Sequence, residues 1–359
     1  GGAASVSLTN SGTINALAAA DAVAETYADA NAYLSDAITQ NADARAGGDA
    51  SVALTNSGTI NLAASATAAG TAASATAYNS SAIYQTAEAY ASGTADSGNA
   101  SVNLTNASTG TLTIAASGDA VSTSGDAYAF AEVENGIYQK AYSEDGDASV
   151  SLTNAGKLNI TATANADTAD ATTASADAYA YIITGISQYA DVVEGVATNT
   201  VTNSGTVTLT AAADAAADTN AYVSAYVETG VYQYAASTNG DAANTLTNSG
   251  TLTMSVSGKA VSAATDAYVD ASIDMGIYQY ASATNGTATN VVTNTGTVDL
   301  LANAVADAGV AGTDDNATAY AYVDTGIYQY ADGSTNTVTN SGTMNVAAAA
   351  TASGDEYGY

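Results

Sequence analysis

The sequence predicts an all-β solenoid that runs as one continuous domain over residues 1–359, and three observations predict it. A tandem repeat fills the chain, apolar and polar residues alternate with a period of two, and proline is absent. The repeat is the primary signal, because self-similarity at a fixed period marks stacked architectures. A Thr-Asn-Ser-Gly-Thr phrase and close variants recur with the Asn at Asn10, Asn56, Asn106, Asn154, Asn203, Asn248, Asn294 and Asn340. Between these lies a second phrase of the form Gly-Ile-Tyr-Gln-Tyr-Ala, with its Gln at Gln40, Gln85, Gln139, Gln188, Gln233, Gln279 and Gln329. The glycines of the two phrases interleave at spacings of about 20 and 25 residues, each near the length of one β-helix coil. This reading gives two coils per repeat of about 47 residues, about 15 coils in all, and a rod about 70 Å long at roughly 4.8 Å per layer.

The alternation places side chains. In Asn220–Tyr234, Ala221, Val223, Ala225 and Val227 share one face, and Tyr222, Ser224, Tyr226 and Glu228 share the other. That is the period of a strand. Alanine is the best helix former, but a two-residue alternation would scatter around a helix. The Asn-Ser-Gly phrases are read as turns, since these residues tolerate left-handed backbone and bond to it locally. The second phrase's glycines are read as turns too, and a further corner is marked by Gly48-Asp49-Ala50 and its equivalents. Without proline, no ladder loses an N–H.

Composition narrows the function. The apolar fraction is 47 %, yet the chain has one Phe, three Met and no Trp, so the core is thin and mostly alanine. No His is present to act as a base or ligand, and no Cys as a thiolate. Thirty-five acids against four cations give a net charge of −31, which repels phosphate and excludes a nucleic-acid partner. No apolar run is long enough for a membrane span. The start at Gly1 is read as a processed protein or an ordered segment.

Stacking turns repeated residues into ladders. The Gln residues share the inward parity of the aliphatic residue two before them, so they and the Asn residues are expected to pair with each other or with turn carbonyls. The tyrosines point outward: Tyr138, Tyr232, Tyr278 and Tyr328 form one column, and Tyr189, Tyr234, Tyr280 and Tyr330 another. They can shield the sheet or serve as a contact surface of rigid amphipathic rings. Glu134, Glu228, Asp274 and Asp324 also align, at about 9.6 Å if one coil intervenes. The best oxygen clusters for calcium are Glu144, Asp145 and Asp147, and Asp314 with Asp315; no other cofactor is expected. No cation is expected beside the acidic clusters, and no catalytic residue is assigned. The Thr pairs Thr206/Thr208 and Thr251/Thr253 resemble an ice-binding array, interrupted by Thr13/Asn15 and Thr297/Asp299.

The phrase Leu-Thr-Asn-Ser-Gly-Thr-Ile, at Leu8–Ile14 and Leu54–Ile60, resembles the repeats of bacterial autotransporter passengers and filamentous-haemagglutinin-like adhesins. The resemblance implies a right-handed β-helix exported to the cell surface for adhesion or aggregation. The expected function is therefore that of an extracellular or cell-surface structural and adhesive protein, not an enzyme. Its expected partner is itself, end to end in filaments, because neither terminal coil shows a capping segment. The alternatives are a stalk or passenger of a surface adhesin that binds surface glycans or neighbouring cells, and a calcium- or glycan-binding module.

Overall fold

The computed structural model describes residues 2–91, 98–169, 174–309, 316–354 and 357–358, and among them every regular element is a strand. The strands form three parallel sheets, and each sheet advances one full repeat at every step. The solenoid expectation is met. Sheet A holds the strands of six or seven residues that lead into each Asn-Ser-Gly phrase, from Ala4–Asn10 to Thr335–Asn340. Sheet B follows the phrase, from Thr13–Val23 to Thr343–Ser353. Sheet C carries the Gln phrase on long strands such as Ala221–Asn239.

The coil count is corrected. One repeat is one coil with three sides, so sheets A and B each hold 8 strands where about 15 coils were expected. The two glycine phrases lie on different sides of the same coil, and each residue's partner in register is a whole repeat away, as Asn10 with Asn56 and Gln85 with Gln139. Eight layers span about 34 Å, half the expected length.

The glycines do different work from that expected. Gly136, Gly185, Gly230, Gly276 and Gly326 are no turns, since they lie inside the sheet C strands. A Cβ on Gly136 would sit 2.6 Å from Cδ1 of Ile160, and one on Gly185 would overlap Leu209. The same Cβ atoms would sit 2.6 Å from the Gly185 carbonyl oxygen and 2.7 Å from that of Gly230, so the stacked backbone as well as the sheet B aliphatics holds these positions to glycine. At the Asn-Ser-Gly corner, a Cβ on Gly205, Gly250 or Gly296 would strike the carbonyl oxygen of the glycine one coil earlier. Only Gly47, Gly195 and Gly333 have positive φ among the described glycines, so close stacking, not left-handed backbone, sets the corner.

Inside each coil the larger aliphatics gather where sheets A, B and C converge, as Leu152, Leu158, Ile160, Ile182 and Ile186, all fully buried. Alanine fills the narrower remainder. A second, smaller apolar cluster packs sheet A valines such as Val102 and Val150 against sheet C alanines such as Ala141 and Ala190. The Gln column runs along the seam between the two clusters: Ile137 belongs to the first and Ala141 to the second, with Gln139 between them.

Candidate functional site

The interior amides form hydrogen-bonded ladders, as the sequence predicts. Each Gln donates from Nε2 to Oε1 of the Gln one coil before it, from Gln85 to Gln40 at 2.8 Å through Gln329 to Gln279 at 2.7 Å. The second Nε2 proton of Gln139, Gln188, Gln233 and Gln279 goes to a sheet A carbonyl at 3.1–3.2 Å. The Asn ladder runs the other way: Asn10 donates to Asn56 at 2.9 Å, and each later member to the next as far as Asn340. Their Nδ2 groups also bond the first carbonyl of a sheet B strand, as Asn203 does to Thr251 at 2.9 Å. These columns are structural, because their members are consumed by one another.

A third ladder escaped the sequence reading. Asn199, Asn244, Asn290 and Asn336 are linked by Nδ2–Oδ1 bonds of 2.9 Å, each of the first three also donating to a tyrosine carbonyl at 2.6–2.7 Å. In the first four coils the same position is Val6, Val52, Val102 and Val150. The column therefore changes from valine to amide between Val150 and Asn199, and Asn199 Oδ1 is buried with no hydrogen-bond partner.

The outer face of sheet C is the most distinctive surface. Every tyrosine of the described residues lies on a sheet C strand. Tyr232, Tyr278 and Tyr328 stack at 5.0 and 5.1 Å, and Tyr234, Tyr280 and Tyr330 at 5.2 and 5.1 Å. Both predicted columns are in register. Ser187 interrupts the first, and the Tyr189 ring bridges the gap, 5.3 Å from both Tyr138 and Tyr232. Tyr84, stacked on Tyr138 at 4.9 Å, extends the column by a coil. A second band runs along the same sheet through Tyr128, Tyr179, Tyr222, Tyr268 and Tyr320. Burial by neighbouring rings pushes the phenols of Tyr138 and Tyr226 up to about 12, and a hydrogen bond to the Glu88 carboxylate does the same for Tyr90.

Acids punctuate this face. Glu228, Asp274 and Asp324 occupy adjacent coils, closer than the expected one-coil gap, whereas Ile183 separates Glu134 from Glu228. Burial, then repulsion from Asp324, raises the Asp274 carboxyl above its ordinary range. Burial, then repulsion from Asp274, does the same to Asp270, whose Oδ1 is buried without a partner.

One sequence expectation is corrected on this side of the molecule. Cations do stand among the acids: Arg45 pairs with Asp43 at 2.8 Å and lies over the Tyr90 ring, and Lys140 pairs with Glu88 at 3.0 Å. Arg45 shares a shallow depression with Glu144, two coils away in sequence. Two of the three acids named for calcium, Glu144 and Asp147, accept backbone N–H groups. Glu144 Oε2 accepts the Ala91 N–H at 2.7 Å, and Asp147 Oδ1 accepts the Val196 N–H at 2.8 Å. Asp49 and Asp241 do the same at equivalent corners, so this acid is a corner cap that holds the next coil. Among the described residues no three His, Cys, Asp or Glu side chains group to hold a metal ion, and Asp314 and Asp315 lie outside those residues. None of the described residues forms a helix long and apolar enough to cross a membrane.

No family model matches the chain, and no curated protein or solved structure matches it either. The resemblance to adhesin repeats therefore rests on the short turn phrase and the solenoid it belongs to.

Proposed function

We propose that the chain is a non-catalytic structural and adhesive element of the cell surface or extracellular space, and that the outer face of sheet C is its contact surface. One observation carries the reading: the described tyrosines all lie on sheet C strands, two columns of them stacked ring on ring along its outer face, over an interior whose Gln and Asn amides bond chiefly to each other. Stacked rings give large, rigid, amphipathic area at little cost in side-chain freedom, which is what contact surfaces use. The test is adsorption of the whole chain to glycan-coated and protein-coated surfaces, comparing the native sequence with a Tyr232→Ser, Tyr278→Ser, Tyr328→Ser variant. A tenfold loss of retention is expected, and equal retention with an intact fold overturns the reading.

A second reading of the same class, end-to-end association into filaments, is favoured by the ladder polarity. Every link of the interior Asn ladders donates toward the eighth coil and every Gln link toward the first, so a copy stacked in register on sheets A and B would continue the Asn ladder from Asn340 to its own Asn10. The charge of −31 opposes stacking until salt screens it beyond about 10 Å. Electron micrographs that show filaments growing with salt support it; single particles at every salt concentration overturn it.

A further inference from the structure

The outer face of sheet A is uncharged in a chain that carries 35 acids. Each of its strands turns three side chains outward, as Thr198, Thr200 and Thr202 do in the fifth coil. The column from Thr9 through Thr153 to Thr339 is threonine in every coil. Elsewhere on the face the outward residues are Ser or Thr except Ala53, Asn103, Ala243 and Val291, and none is Asp, Glu, Lys or Arg. Sheet B turns out Asp119, Asp214 and Lys259, and sheet C Asp177, Asp270 and Glu228, so the other two faces hold the charge. The interrupted threonine pairs noticed in the sequence lie on sheet B; the unbroken array is on sheet A.

We propose that this face pairs with the same face of a second copy, back to back. The pairing goes beyond the tyrosine reading and does not rest on it. Strands about 20 Å long over about 34 Å of stack give roughly 700 Å² per copy, close to the ~800 Å² per partner of a stable interface. Two chains of charge −31 repel, and meeting through sheet A turns their charged faces away from the contact. The carboxylates nearest the face are the corner caps Asp49, Asp147 and Asp241, which form a rim along one edge and make pairing tighten with salt. A hydroxyl both donates and accepts, so one Ser/Thr face can satisfy an identical one across a two-fold axis. Threonine is β-branched with a stiff χ1, which keeps the ordering cost low.

The experiment is sedimentation velocity of the whole chain from micromolar to millimolar concentration, at low and high salt. The native chain is expected to form dimers that strengthen with salt. Thr200→Glu with Thr245→Glu should weaken dimerisation at least tenfold, and Thr208→Glu with Thr253→Glu, on sheet B, should leave it unchanged. A native chain that stays monomeric throughout overturns the proposal, as does an equal loss in both variants. So does a monomer that shapes growing ice crystals, since the face then orders water. Spin labels provide a reading that survives poor folding of the acidic variants, because the chain has no cysteine of its own. A label at Thr200→Cys should report a shorter distance between copies than one at Thr208→Cys, and the reverse order overturns the pairing.

Discussion

Sheets A and C are built on the same coil, yet their outer faces share almost no chemistry. Sheet A shows hydroxyls and methyls with no charge, and sheet C shows stacked tyrosines among carboxylates and two paired cations. Their inner faces, by contrast, are joined: Gln139, Gln188, Gln233 and Gln279 leave sheet C and donate to sheet A carbonyls. The difference teaches that the fold is specified inward, by ladders common to both sheets, which leaves each outer face open to a separate role. Period-two geometry permits this, because successive side chains point to opposite faces.

The largest expected effect breaks what the two sheets share. Gln233→Leu keeps the volume but deletes two ladder bonds and one bond to sheet A, leaving Gln188 Oε1 without its donor and Gln279 Nε2 without its acceptor. Buried groups left unpaired cost about 1–3 kcal/mol each, so a loss of about 4 kcal/mol is expected in urea denaturation. Both faces should lose their order together. If only sheet C loosens, as read by hydrogen exchange, the sheets are less coupled than the ladder implies.

Substitutions outside separate the faces. Tyr278→Ala removes stacking on Tyr232 and Tyr328, at ~0.5–1.5 kcal/mol for each pair, so about 2 kcal/mol should be lost. Thr245→Ala, on the other face, should change stability by less than about 0.5 kcal/mol. Equal losses would mean that sheet A's hydroxyls stabilise the fold rather than await a partner.

Titration should also discriminate. Burial holds the carboxyls of Asp177, Asp270 and Asp274 on sheet C above their ordinary range, so the folded chain keeps protons that the unfolded chain releases. Their contribution is complete below the ordinary carboxyl range near ~4 and declines as pH rises through the raised values. Melting temperature should therefore climb by a few degrees as pH falls from 7 toward 4. At the alkaline end, Tyr138 and Tyr226, raised to about 12, contribute stability that is intact below the unfolded phenol value of ~10 and lost as pH rises from there through 12. Sheet A has nothing outward to titrate, so in high salt, where repulsion between copies is screened, dimerisation through it should stay constant across pH 4–10 while melting temperature changes. Parallel changes in both would tie the faces together.

Much of this was legible in the sequence because it depends only on parity and period. The inward Gln and Asn, the outward tyrosine columns and the Gly-Asp-Ala corner follow from a two-residue alternation repeated every 45 to 50 residues. What could not be read needed contacts across the coil. The Gly185 position looks like a turn until Leu209 is seen filling the space of its Cβ, and that misreading doubled the coil count. Arg45 and Glu144 face one depression although nearly a hundred residues separate them. The third amide ladder was hidden because valine holds the first four places of its column and asparagine the last four, so neither residue repeats along the whole chain.

That column also separates a ladder's end from its middle. Asn199→Val deletes a buried amide, but it stands at the ladder's end, where Asn199 Oδ1 already lacks a partner beside Val150. The change transfers the unpaired oxygen to Asn244 and adds one valine to the four above it, so one orphan replaces another. Stability should change by less than about 1 kcal/mol. Asn244→Val, one coil further on, cuts the ladder instead. Asn199 Nδ2 keeps only its bond to the Tyr234 carbonyl, the Asn199 oxygen stays unpaired, and Asn290 Oδ1 becomes a second orphan. A loss of about 2 kcal/mol is expected. Two identical substitutions in one column, differing only in distance from its boundary, then measure what continuity of the ladder contributes. Equal values in thermal melts would show that each amide acts alone, and that the shared interior of sheets A and C is a set of separate bonds rather than a connected seam.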